Sequence, residues 1–230
     1  PYHNFNHGTD VLLQVAQYAL VFGAAELLTP LDVLGLGVAA LGHDVSHPGL
    51  NNAFQVNSAS ELALRYADVA VLEAHSAAVV GTLVRDRQLL LGLSDKDFRR
   101  CRLIICASIL GTDMSTHFKT MERLTKFNDA APWTAEGGGA AKRDALEAEE
   151  RKFVCDVLLH TADVSNPARP WDLCKKWSDL VMDEFFRQGD KLCDKEALLG
   201  LPISPNCNRA STSQAGCSIG FSDFIVKPLF

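Results

Sequence analysis

Apolar residues recur at helical spacing along most of this sequence, while strand-like alternation is scarce. Val11, Val15, Tyr18, Leu20 and Phe22 open one such stretch. Leu62, Tyr66, Val69, Leu72 and His75 make another, and Leu103, Ile104, Ala107, Leu110 and Met114 a third. Phe153, Val157, Leu158, Thr161 and Ala162 follow, then Trp177, Val181, Phe185 and Phe186. Residues three and four apart share a helix face, so each stretch presents an apolar stripe that another helix must cover. The pattern predicts an all-α fold, a compact bundle of many helices.

The chain has 230 residues, 47% hydrophobic and 22% charged, which is enough to bury a sizeable core and excludes wholesale disorder. No internal repeat and no second core is visible, so residues 1–230 read as one domain. Thr29-Pro30 and Pro48-Gly49 read as helix ends. The Ala/Gly-rich stretch 129–143 (DAAPWTAEGGGAAKR) reads as a flexible loop, and residues 189–217 as mostly loop.

Charge and cysteine content narrow the function classes. The formal charge of −6 leaves no basic surface to neutralise a nucleic-acid backbone, so nucleic acid is not an expected partner. A phosphate-bearing ligand would need a local source of positive charge, such as a metal. The uncharged runs 11–25 and 33–42 fall short of the ~18 residues of a spanning helix, and buried helices are expected instead of membrane-spanning segments. Seven cysteines without a CxxC pair point to reduced thiols and a cytoplasmic location. The first residue is Pro1, so the chain reads as part of a longer protein, whose flanks would carry any membrane attachment or regulatory domain.

The seven histidines are concentrated near carboxylates. His3 and His7 are four apart and would share a helix face; His43, Asp44 and His47 sit in GHDVSHPG, and Asp163 ends the apolar run FVCDVLLHTAD. Imidazole and carboxylate are the ligands of borderline and hard divalent cations. A His-Asp dipeptide at the end of an apolar run is costly to bury unless paired or metal-bound, and the set reads as a metal site.

In order along the chain, YHNFNH, AALGHDVSHPGLNN, VLEAH, GTDMSTHF, LLHTADVSNPARPW, DEFFRQGDK and GFSDFIVKPLF resemble the signatures of the class I 3′,5′-cyclic nucleotide phosphodiesterase catalytic domain, a branch of the HD metallohydrolases. The resemblance implies hydrolysis of cAMP and/or cGMP to the 5′-monophosphate, with a small-molecule cyclic nucleotide as partner. It implies that His7, His43, Asp44 and Asp163 hold zinc. Asp44 would also reach a second ion, magnesium or manganese, with His47, Glu73 and Thr112 around its waters. His3 matches the general acid that protonates the O3′ leaving group. Asn166, Phe221, Val181, Met114 and Trp177 match the purine pocket. Where the family has a glutamine three residues before the stacking phenylalanine, this chain has Ser218; Gln214 lies four residues upstream and would reach the pocket if the loop shifted register. Ser76 stands where members usually carry a second histidine. Two other readings remain open from sequence: an HD phosphohydrolase acting on another nucleotide, and a non-catalytic cyclic-nucleotide-binding or interaction module.

Overall fold

A computed structural model describes residues 1–130, 139–199 and 203–230. Among these residues the secondary structure is α-helices joined by turns, short 3-10 segments and one π-helical turn (Ser222–Val226), with no strand. Five helices build the centre: α1 (Phe5–Leu20), α2 (Pro30–Gly42), α5 (Val71–Asp86), α6 (Asp95–Leu110) and α9 (Ala148–Asp163). Two short helices, α3 (Asn52–Asn57) and α4 (Glu61–Arg65), lead from α2 to α5. Helices α7 (His117–Ala130) and α8 (Gly139–Asp144) lie between α6 and α9, and α10 (Trp171–Leu199) and α11 (Gln214–Phe221) complete the chain.

Helix α2 shows how local sequence sets position. Thr29-Pro30 begins this helix and does not end the one before it. The Thr29 hydroxyl accepts from the Asp32 amide (3.1 Å), and the Asp32 carboxylate accepts from the Thr29 amide (3.0 Å). Pro30 needs no donor at the first helical position, so the pair reads as a start once the capping box is recognised. Beyond Asp32 the helix carries no charge, and Leu36, Ala39 and Ala40 are fully buried. It packs against α1, α5, α6 and α9, and the core cluster runs through all five. The buried Asp32 carboxylate also pairs with Arg100 of α6 (3.1 Å) and Arg151 of α9 (3.3 Å), tying three helices at one end.

At the other end α1 and α2 touch backbone to backbone. A Cβ at Gly8 would lie 2.8 Å from the Leu41 carbonyl oxygen, so only glycine permits this approach. The contact carries the neighbouring His7 up to the end of α2. Gly8→Ala is expected to cost about 1–3 kcal/mol of stability as the helices are forced apart. Urea denaturation checks this, and an unchanged midpoint would mean that the α1–α2 approach is not tight in solution.

Two loop expectations are corrected. Of the stretch 129–143, Asp129 and Ala130 close α7 and residues 139–143 lie in α8; residues 131–138 are outside the described residues. GAAKRD is rich in good helix formers, which compositional simplicity disguised. Residues 189–199 continue α10 rather than forming loop, and 214–217 begin α11. Gly189 lies inside α10 for a packing reason: a Cβ there would fall 1.8 Å from the Cys207 carbonyl oxygen of the returning chain. No helix among the described residues is long and apolar enough to cross a membrane.

Candidate metal centre and catalytic cleft

The end of α2, the start of α1 and the end of α9 converge. His7 lies in the first turn of α1, after Asn4, whose side chain caps the amides of Asn6 and His7. His43 and Asp44 follow the last residue of α2 in a turn, and Asp163 is the last residue of α9. His3 precedes the α1 cap and His47 lies beyond the α2 turn, so neither shares a helix face with its sequence partner, contrary to the reading from spacing alone.

Four side-chain atoms from these positions face one another. His7 Nε2 is 3.0 Å from Asp163 Oδ1 and 3.4 Å from Asp44 Oδ2; His43 Nε2 is 3.0 Å from Asp44 Oδ2 and 3.3 Å from Asp163 Oδ1. The His43 Nδ1–H donates to the Ala40 carbonyl (2.9 Å), which turns Nε2 inward. Yet His43 Nε2 and Asp44 Oδ2 are buried without a hydrogen-bond partner. Their directions suit a common central point better than each other. Ligands ~2.0–2.1 Å from one ion in tetrahedral array stand about 3.3 Å apart, close to the spacings here, and two imidazoles with two carboxylates are a donor set for a divalent cation. The residues fit a metal ion.

The electrostatics agree. Burial opposes charging His43, but the Asp44 and Asp163 carboxylates outweigh it and hold the ring protonated well above the usual imidazole range. Burial likewise opposes ionising Asp44 and Asp163, and His43 overcomes it, keeping both well below the ordinary carboxylate range. The two carboxylates demand positive charge between them, which a cation supplies.

Beside this centre lies a second group. His3 Nδ1–H donates to Glu184 Oε1, and Glu184 Oε2 accepts from the Tyr2 and His3 amides at 2.9 and 3.1 Å. Burial lowers the basicity of His3, but the Asp44 charge and the Glu184 hydrogen bond prevail and raise its pKa. His47 stacks on the His3 ring at 3.9 Å between centroids. Burial and the His3 charge push His47 down to about 4, so the His47 ring is uncharged at neutral pH. His47 Nδ1 accepts from the Gly49 amide (3.0 Å), which places its remaining proton on Nε2. His3, His47 and Glu184 could themselves gather around an ion. Their facing atoms are already spent on one another and on backbone, so a positioned proton donor is the better account.

Glu73, at the start of α5, accepts from Asn52 Nδ2 through both oxygens (3.2 and 2.9 Å), and burial raises its pKa. Thr112 is buried at the end of α6 and donates to the Ile109 carbonyl (2.7 Å). Neither belongs to the four-atom cluster. Ser76 is buried and donates to the Val45 carbonyl (3.1 Å), anchoring the turn that carries His43, Asp44 and His47.

A cavity of about 180 Å³ opens beside Tyr2. Asn166, Trp177, Val181, Ser218 and Phe221 line it together, joined by Met182 and Phe185. Asn166 Nδ2 donates to the Tyr2 hydroxyl, and Tyr2 and His7 both pack edge-on against Trp177 at 5.6 Å. Met114 is 41% exposed and does not line the cavity. Gln214 does not reach it either: its amide donates to Ser178 Oγ (3.1 Å) and Asp179 Oδ1 (2.7 Å). Ser218 Oγ is hydrogen-bonded to Ser178 Oγ at 3.0 Å instead.

Reasoning from sequence missed Glu184, Tyr2 and Asn52. The signal for Glu184 was present. Trp177, Val181, Glu184 and Gln188 follow one another at helical spacing, so a carboxylate interrupts an otherwise pocket-facing stripe of α10. Tyr2 and Asn52 act through contacts over 164 and 21 residues of sequence, which no local pattern announces.

The family model for 3′5′-cyclic nucleotide phosphodiesterase matches residues 2–230. The chain belongs to this phosphodiesterase family. It is 36% identical over 231 residues to the 3′,5′-cyclic-nucleotide phosphodiesterase regA of Dictyostelium discoideum, covering 100% of this chain and 27% of that protein. It is 37% identical over 236 residues to the human dual specificity calcium/calmodulin-dependent 3′,5′-cyclic nucleotide phosphodiesterase 1C, covering 100% of this chain and 30% of that protein. Among solved structures, the phosphodiesterase domain of the rhodopsin–phosphodiesterase fusion protein RhoPDE from the choanoflagellate Salpingoeca rosetta superposes with a TM-score of 0.85 at 36% identity, over 100% of this chain and 69% of that one. This phosphodiesterase chain thus spans less than a third of the length of these two curated relatives.

Proposed function

We propose that this chain, as one catalytic unit, hydrolyses the 3′,5′-cyclic phosphodiester of cAMP and/or cGMP to the 5′-monophosphate. The observation that carries the reading is the convergence of His7, His43, Asp44 and Asp163 at 3.0–3.4 Å, with two buried atoms left unbonded. Those four would hold zinc. Asp44 would be shared with magnesium or manganese, and His47, Glu73 and Thr112 would orient water around the second ion. When bound, the ions neutralise phosphate charge and lower the pKa of an attacking water.

His3 acts on the leaving group. Its Nδ1–H is held by Glu184, so the proton on Nε2 is the one delivered to O3′ as the P–O3′ bond breaks; the attacking water supplies the oxygen of the new P–O bond and gives up its proton to solvent. Asn166, Trp177, Val181 and Phe221 would hold the purine. With Asn166 Nδ2 on the Tyr2 hydroxyl, Oδ1 is left as an acceptor, which suits the exocyclic amino group of adenine. The odd cysteine count without a CxxC pair supports a reducing compartment, the cytoplasm.

The test is release of 5′-AMP or 5′-GMP by the purified chain supplied with zinc and magnesium. Turnover is expected to vanish on chelation with EDTA and to return with added metal. A folded, metal-loaded chain that turns over neither nucleotide would overturn the reading.

A further inference from the structure

Ser218 lines more than the base cavity. A second recess of about 410 Å³ lies on its outer side, and Pro167, Cys174, Ser218 and Ser222 line both. Three of those four shared residues are small, so the partition between the two spaces is thin. The inner cavity, about 180 Å³, is smaller than the roughly 300–1,000 Å³ of sites that enclose a whole ligand and suits one bicyclic ring. In the recess Trp171 and Ile219 are 72% and 62% exposed, and neither lines the inner cavity. Of its charged residues, Arg169 is paired with Asp10 at 3.2 Å and Asp223 is exposed, so the recess offers the apolar faces of Trp171 and Ile219 beside one carboxylate.

We propose that cavity and recess form one two-lobed site, which takes purines bearing an aryl or alkyl group on the edge facing Ser218. The inference rests on the hydrolase reading for its orientation. With phosphate at the His7–His43–Asp44–Asp163 centre, the purine edge farthest from the sugar, bearing the C6 amino group, points at Ser218. A substituent on that nitrogen passes the small side chains of Ser218 and Cys174 and lies against Trp171.

Adenine and N6-benzyladenine carry no phosphate, so both can be titrated into the 230-residue chain by ligand-observed NMR without relying on metal. N6-benzyladenine is expected to bind about three- to tenfold tighter, the contribution of one aromatic contact. Trp171→Ala, at an exposed position outside the inner cavity, is expected to remove that gain while leaving adenine binding and cAMP turnover unchanged. Equal affinities, failure of either base to bind, or a gain that survives Trp171→Ala would overturn the two-lobed site. Turnover of cAMP with no benzyl gain overturns the two-lobed site alone. A benzyl gain lost in Trp171→Ala, in a folded and metal-loaded chain that turns over no cyclic nucleotide, supports the recess and overturns the hydrolase reading.

Discussion

Asp163→Ala is expected to lose bound divalent metal and cyclic nucleotide turnover together. Asp163 Oδ1 faces both His7 Nε2 (3.0 Å) and His43 Nε2 (3.3 Å), so its removal takes away one of four convergent atoms and one of the two negative charges that draw a cation in. Metal stabilisation of a phosphoryl group is worth several kcal/mol, so turnover should fall by about 10³-fold or more. Elemental analysis after dialysis reads the metal directly and should drop toward zero. Near-normal zinc content in the variant would sink the ligand assignment, whatever its activity. Asp163→Asn separates charge from shape. It keeps an acceptor oxygen in place but not the charge, and should retain metal only weakly.

The second large effect is expected at Glu184→Gln. Glu184 raises the basicity of His3 through its hydrogen bond and charge, and its own carboxyl is held well below the usual range, by His3 before its other partners. A general acid must be protonated, so activity is lost as pH rises through the His3 pKa. Raising that pKa extends the active range upward. Glu184→Gln removes the charge, lowers the His3 pKa and should move the alkaline limb of the pH–rate profile to lower pH. A fall in turnover of about 10–100-fold at neutral pH accompanies the shift, smaller than the ~10²–10⁴-fold expected for His3→Ala, which removes the donor itself. Metal content should be unchanged in both. A lower rate with an unmoved alkaline limb would mean that Glu184 only holds the Tyr2–His3 backbone in place.

Much of the fold was legible because helices announce themselves locally. The apolar spacing in Val11–Tyr18 and Leu103–Leu110 follows from the 3.6-residue period, whatever the helix later packs against, although Phe22 falls beyond the end of α1. Boundaries were less legible where one residue serves two purposes. Pro30 can stop a helix or start one, and the Thr29–Asp32 capping box decides. Gly189 looked like a loop residue because its neighbour Cys207 comes from 18 residues away in sequence.

The candidate site divides in the same way. Residue types and motif order marked His3, His7, His43, Asp44 and Asp163, since such donors placed beside apolar helix ends are costly without a partner. Their convergence was beyond the sequence, because it depends on three helix ends meeting and on Gly8 letting α1 approach α2. The partner of His3 was hidden for the same reason: Glu184 lies 181 residues away.

By itself, then, the sequence determined an all-helical chain of this phosphodiesterase family and the identity of its candidate metal-binding side chains, because helical periodicity and donor chemistry are properties of neighbouring residues. Only the tertiary structure decided which donors face one another, that Gln214 is held by Ser178 and Asp179 outside the cavity, and that a recess opens past Ser218. Those outcomes are set by how helices pack, and packing joins residues that the chain keeps far apart.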